Sequence, residues 1–370
     1  MGVFSLSASL TDSDIKLRNP DGGTLPPLKT HWFETEDGFE LNFRRLPAAT
    51  GTPDMGAVMF VHGSGTRADL FCPPSTVTLP AMLSAAGFEV WLLNWRASID
   101  LKPTQYTFDD AALYDFPAAV AEILEHTDSK AAKASQTVKA VVHCQGSHAF
   151  MMSIASGLLR PVTAVVANST AMHPRVRWSA RVKLPIALAS LGKMTNWFNP
   201  QFGLYASSFS ARLLDLLVRM FHHECSNAVC KHSSFTYGVG FPTLWSHDNL
   251  DEVTHDWIKG EFAHVPVSLF RQTQRCLKAK HLVSVRGYAQ IPADFALVAP
   301  DTTARFLFLC GADNKTFHPR GMRRTFQHFE QHFPGVHTHR VVPGYGHLDT
   351  FLGKHASADV FPGLVEWLSE

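Results

Sequence analysis

Cys144, Asp313 and His347 stand far apart in the chain, yet each lies within two residues of a glycine and closely follows a short apolar run. Together they could do nucleophilic chemistry. A thiol attacks a carbonyl once it loses its proton, an imidazole can take that proton and later hand it to the leaving group, and a carboxylate can hold the imidazole tautomer and stabilise the imidazolium. These roles fall to Cys144, His347 and Asp313 in that order. Two other residues compete for the acid position. Asp349 lies only two residues beyond His347, a poor span for reaching back to the ring, and Asn314 could orient the ring without supplying charge, so Asp313 is preferred. His143, next to the thiol, is expected to point away from a substrate, and His62 to brace a neighbouring loop.

The elements that must carry these groups are legible around them. Residues 138–154 read VKAVVHCQGSHAFMMSI, a β-branched run, a small-residue turn and an apolar stretch of helical character. Strand, sharp turn and helix with a nucleophile at the apex is the elbow arrangement written G-x-S-x-G. Gly146 gives room where strand and helix meet and Ser147 is small, whereas Val142 stands where the pattern has its first glycine. A buried, inert cysteine is the alternative reading of Cys144, since free cysteine is among the most buried residue types. Upstream, an apolar run at 57–61 leads into His62-Gly63-Ser64-Gly65. A glycine-rich turn there would supply half of an oxyanion hole, with the backbone N–H groups of Ser64 and Gln145 as donors. Losing one such donor costs roughly 3 kcal/mol of barrier. A thiol beside an imidazolium at a helix N-terminus is expected to ionise near neutral pH.

Strands and helices alternate over most of the chain. Residues 30–46 form two alternating runs around Asp37-Gly38, a hairpin signal. Helices are expected at 79–86, from 108 with a kink or offset start at Pro117, at 320–332 and at 358–368; further strands at 88–93, 162–167, 305–309 and 338–343. That alternation implies an α/β fold, a mostly parallel sheet with helices on both faces. It stops between 169 and 302. Residues 1–168 and 303–370 are therefore expected to make the core, and 169–302 a mainly helical cap, or lid. Its aromatics, among them Trp178, Phe198, Phe209, Phe235, Phe241, Trp245, Phe262 and Phe270, would fill the cap or line an apolar acyl pocket. His222, His223, Cys225, Cys230 and His232 offer soft ligands there, but their spacing matches none of the usual zinc patterns, so no metal is expected. A Cys225–Cys230 disulfide would need an oxidising compartment.

A net charge of +1 argues against an electrostatic nucleic-acid partner, and 45% hydrophobic residues argue for a globular protein. Six scattered cysteines fit reduced thiols and a cytoplasmic location. The first residues lack the basic and apolar regions of a leader, and the uncharged stretch at 140–159 is explained by strand plus helix, so no stable membrane insertion is expected. No cofactor is expected, and the oligomeric state is not legible.

Nucleophile, acid, histidine is the chain order of the α/β-hydrolases. VWLLNWRASIDL, YTFDDAALYDFPAAV, VVHCQGS and VPGYGHLDTFLGKHASADVFP resemble the α/β-hydrolase domains fused to glucose-methanol-choline oxidoreductases of the cholesterol-oxidase kind; YDFPAAV and CSNAVC are also similar to stretches of the acid lipases. The resemblance runs from about residue 30 to the end. It implies an α/β-hydrolase fold with a helical cap, a Cys144-Asp313-His347 triad and oxyanion donors at Ser64 and Gln145. The chain departs from that group in having no oxidoreductase unit within its 370 residues and in carrying Val142 before the elbow. The expected activity is hydrolysis of carboxylic esters, thioesters or lactones of a small, apolar acyl substrate through an acyl-thioenzyme. Cysteine-dependent acyl transfer to an acceptor other than water is the second reading, and non-catalytic binding on a hydrolase scaffold the third.

Overall fold

The computed structural model describes residues 27–169, 172–239 and 242–370. Most of the irregular lead-in read at 1–28 lies outside the described residues, as does Phe241. The frame is an eight-stranded sheet in the order β1-β2-β4-β3-β5-β6-β9-β10. Its members are β1 (Lys29–Glu34), β2 (Glu40–Leu46), β3 (Ala57–Val61), β4 (Glu89–Asn94), β5 (Val138–His143), β6 (Val162–Asn168), β9 (Arg305–Gly311) and β10 (Thr338–Val342). The opening hairpin β1–β2 is antiparallel and β2 pairs antiparallel with β4; every other pairing in the sheet is parallel. A central parallel strand is covered on both faces, so it reads as an unbroken apolar run. The AVMFV of β3 is buried at every position.

One face packs against the helices Phe116–His126 and Cys144–Ala155, through Phe116, Ile123, Phe150 and Met152. The other packs against Leu79–Ala85 and Phe361–Ser369, through Leu79, Leu83, Phe361 and Leu364. The helix read from 108 has the offset start expected at Pro117, while the closing helix differs in detail from the sequence reading; proline accounts for both. Residues 108–126 are a short helical turn, a wider π-type turn at Ala111–Asp115, and then a regular helix whose first turn holds Pro117. Proline has no N–H to give to the preceding turn, so the ladder restarts around it. The closing helix is divided into Ala356–Asp359 and Phe361–Ser369, with Pro362 in the first turn of the second.

Between β6 and β9 run the helices Trp178–Ala189, Phe209–Phe221, Ala228–Tyr237 and Val267–Ala279, and a two-residue ribbon of β7 (Trp197–Phe198) and β8 (Val265–Pro266). Buried ion pairs and amides fasten this segment to the sheet layers. Arg67 Nε and Nη2 donate to Glu261 at 2.9 and 2.7 Å, and Gln272 accepts from Phe108 N–H at 2.7 Å. No helix among the described residues is long and apolar enough to cross a membrane.

Candidate active site

The β5 strand ends at His143, and Cys144 follows with φ 55°, a left-handed conformation that is rare outside glycine. The chain then enters the helix Cys144–Ala155. This strained apex is the geometry of a nucleophile elbow, and tight packing enforces it. A Cβ on Gly146 would lie 2.1 Å from the His62 carbonyl oxygen, so only glycine lets the helix start so near the loop after β3. Val142 does not prevent the turn. Its side chain is wholly buried in the core, on a strand whose register places it beside Val61 and Ala167, so the missing first glycine is absorbed by core packing.

The loop at 62–65 passes directly over the thiol. A Cβ on Gly63 would sit 3.1 Å from Cys144 Cβ and 3.5 Å from its Sγ. The loop is held from behind, where the Trp95 indole donates to His62 O at 2.9 Å and His62 Nδ1 lies 2.6 Å from Gly63 O. His62 thus braces the loop in the manner expected from the sequence. Ser64 and Gln145, the expected oxyanion donors, are joined through their side chains, Ser64 Oγ donating to Gln145 Oε1, and Gln145 Nε2 donates to Thr273 Oγ1 at 3.3 Å. Tyr237, which sequence reasoning missed, reaches over from the intervening segment and donates its hydroxyl to Ser64 O at 2.8 Å. Only the fold brings Tyr237 to Ser64; no local pattern marks it.

Cys144 and Gln145 form the floor of an apolar cleft of about 710 Å³, mouth included, walled by Leu184, Phe198, Phe235, Phe270 and Phe317. The aromatics of the intervening segment accordingly divide: Phe198, Phe235 and Phe270 face the cleft, Trp245 and Phe262 fill a separate core, and Trp178 and Phe209 are exposed. Lys183 also faces the cleft. Its stem is half-buried, its ammonium donates to Gly238 O at 2.8 Å and to Phe235 O, and desolvation lowers its pKa to about 7.

His347 arrives on the loop after β10. A ring nitrogen lies within 4.8 Å of Cys144 Sγ, and Gly63, Ser64, His143 and Tyr237 line the small space shared with them. His143 does not line the apolar cleft and packs instead on His347, their ring centroids 4.8 Å apart. The acid position also differs from the sequence reading. Asp313 is exposed, and its backbone N–H is tied to Tyr345 O at 2.9 Å. Asn314, the next residue, turns inward, and its Nδ2 lies 3.0 Å from His347 Nδ1. Asp349 is buried but engaged elsewhere, accepting from Gly346 N–H at 2.9 Å, Asn249 Nδ2 at 2.7 Å and Ser246 N–H at 3.1 Å, so it locks the histidine loop and leaves the ring to Asn314.

The Asn314 amide has one orientation available. Its Oδ1 accepts from the backbone N–H groups of Thr316 at 3.0 Å and Phe317 at 2.9 Å, which leaves Nδ2 for the ring. An amide nitrogen only donates, so Nδ1 accepts and the proton of the neutral imidazole sits on Nε2. The Cys144 thiol and the His347 ring both rest uncharged. Burial pushes the Cys144 thiol up to about 12, opposed by the Gln145 N–H, and burial beside His148 brings His347 down to about 3. The sequence alone predicts a thiolate near neutral pH; desolvation outweighs the helix N-terminus here.

No family model matches the chain. It is similar to a tear acid lipase-like protein of Mesocricetus auratus, 33% identical over 113 residues that take in 26% of this chain and 28% of that one. Triacylglycerol lipase 1 of Arabidopsis thaliana aligns over 91% of this chain and 86% of its own length at 21% identity. The chain spans less than a third of the length of the first relatives it matches. Among solved structures, the monoacylglycerol lipase of Paleococcus ferrophilus superposes with a TM-score of 0.53 at 15% identity, over 88% of this chain and 98% of that one. The acid-lipase likeness read in the sequence recurs among these relatives, which do not bear on the oxidoreductase-fused group. The chain has the α/β-hydrolase fold.

Proposed function

We propose that the protein hydrolyses carboxylic esters of apolar acyl groups, with Cys144 as nucleophile and an acyl-thioenzyme as intermediate. The observation that carries this reading is a cysteine held at φ 55° on the floor of an apolar cleft, with an imidazole nitrogen within 4.8 Å of its sulfur. In this reading the ester carbonyl oxygen meets the N–H groups of Ser64 and Gln145. The thiol proton passes to His347 Nε2 as the C–S bond forms; the alkoxide then leaves with that proton, and water attacks the thioester with His347 as base.

Taking the thiol proton requires the other imidazole tautomer, with hydrogen on Nδ1. That tautomer sets the Nδ1–H against the Asn314 Nδ2–H and forfeits a hydrogen bond, at a cost of about 1–3 kcal/mol. Turnover is therefore about tenfold to a hundredfold slower than a carboxylate at 314 would give. The residues at 169–302 act as the cap in this reading. The helix Trp178–Ala189 turns Ala180, Leu184 and Ala187 to the cleft and exposes Trp178, Val182 and Ile186, spaced four apart, on its outer side. An apolar outer stripe backed by an apolar cleft suits a substrate drawn from a lipid phase.

The fixed Asn314 amide and the uncharged pair also favour a second reading, a binding protein for apolar acyl compounds on a hydrolase scaffold. Hydrolysis of nitrophenyl esters and acyl thioesters of graded chain length, by wild type and Cys144→Ala, separates the two. Hydrolysis predicts turnover that rises with acyl length and falls at least about a thousandfold in the variant. Unchanged turnover in Cys144→Ala overturns the nucleophile, and ligand binding without turnover in the wild type supports the binding protein.

A further inference from the structure

A second convergence of sulfur and imidazole lies in the segment between β6 and β9, and none of its members lines the cleft. Cys225 precedes the helix Ala228–Tyr237, Cys230 sits in its first turn, His247 begins the turn His247–Asn249, and His255 lies on the helix Glu252–Trp257. We propose that Cys225, Cys230, His247 and His255 bind one zinc ion. Tetrahedral zinc, with bonds of about 2.3 Å to sulfur and about 2.0 Å to nitrogen, needs donor atoms about 3.3–3.8 Å apart. Cys230 Sγ is 3.3 Å from His247 Nε2, and all four donor atoms lie within 4.8 Å of one another. Small side-chain rotations complete the shell.

The backbone around the four is already arranged. Asn227 accepts from Cys230 N–H at 3.1 Å through its side-chain oxygen and donates to His255 O at 2.6 Å through its nitrogen, so one side chain fixes two of the ligand-bearing elements. His255 Nε2 is buried with no hydrogen-bond partner among the described residues, and Trp245, Leu250 and Ile258 pack beside Cys230 in a small apolar core. The histidines singled out by sequence turn elsewhere: His222 to Glu224, His223 to Met220 O and His232 to Asp215. Long spacing hid the ligand set, because His247 and His255 lie far outside the cysteine run.

Zinc binding displaces a proton from each thiol, and the charge of the ion is then cancelled by two thiolates beside two neutral imidazoles, which suits a half-buried place. All four positions are filled by protein, so no site remains for water and the ion is structural. Its reach extends to the cleft. Residues 244–249 hold the histidine loop, Leu244 O accepting from Leu348 N–H at 2.8 Å and Asn249 Nδ2 donating to Gly344 O at 2.7 Å, while Tyr237 at the far end of the ligand-bearing helix contacts Ser64.

The test is metal analysis of the full chain purified with added zinc, together with cobalt reconstitution of chelator-treated protein. About one zinc per chain is expected, falling below about a tenth in Cys230→Ser and in His247→Ala. Cobalt should give a thiolate-to-metal charge-transfer band, and Cys225 and Cys230 should resist alkylation until a chelator is added. Cobalt and alkylation are read on wild-type protein, so a variant that fails to fold leaves the test intact. Folded protein that takes up neither metal, or that carries a Cys225–Cys230 disulfide, overturns the proposal. Neither outcome depends on whether Cys144 is a nucleophile.

Discussion

The chain sets sulfur beside imidazole in two places and surrounds the pairs differently. At the end of β5 there is one thiol, a backbone at positive φ, an imidazole already engaged by Asn314, and an apolar cleft. In the segment between β6 and β9 there are two thiols and two imidazoles on ordinary helix and turn backbone, away from the cleft. Donor count and access decide the chemistry. A single sulfur facing a cleft can attack a bound carbonyl, whereas four convergent soft donors close around an ion. A lone buried thiol with no cation beside it stays protonated, so Cys144 rests as the thiol.

The largest effect that would sharpen this contrast is expected at Asn314. Asn314→Asp replaces the donor facing His347 Nδ1 with an acceptor, while the other oxygen keeps the Thr316 and Phe317 N–H groups. Ester turnover should rise about tenfold to a hundredfold. A fall in kcat in a variant as stable as the wild type would mean that the resting tautomer does not limit the reaction. The same change should leave zinc content untouched.

A smaller effect concerns acid stability, to which the buried histidines around the thiol contribute. Burial brings His62, His148 and His347 to about 3 from an unfolded value of 6.5. Between those limits the unfolded chain binds more protons, so the stability is complete above about pH 6.5 and is lost as pH falls towards 3, by about 1.4 kcal/mol per pH unit for each ring. His148 has no hydrogen-bond partner on either ring nitrogen among the described residues and packs against Phe108 and Phe317. His148→Phe should therefore stabilise the protein by about 1 kcal/mol at pH 7 and reduce the acid slope by one proton. Denaturant midpoints across pH 4–8 check both, and an unchanged slope would place the titrating groups elsewhere.

Much of the fold was legible because parallel strands and their covering helices are local patterns. The AVMFV of β3 and the hairpin at Asp37-Gly38 announce themselves, and the elbow follows from Gly146 after a β-branched run. The acid position was not legible. Asp313 and Asn314 are adjacent, and which faces inward depends on how the loop after β9 is pinned to Tyr345 O. Electrostatic preference favoured the carboxylate, and backbone geometry selected the amide. Tyr237 and the His247–His255 pair were invisible for a related reason, since only tertiary packing brings residues so distant in sequence together.

Whether Cys144 carries a covalent acyl intermediate is read from the mass of acid-quenched protein after brief exposure to an activated medium-chain ester. One acyl group per chain is expected, mapped to the peptide containing Cys144 and absent from Cys144→Ala. An acyl group on Ser147 or another residue, or hydrolysis in the wild type with no adduct at Cys144 even when deacylation is slowed, would contradict it.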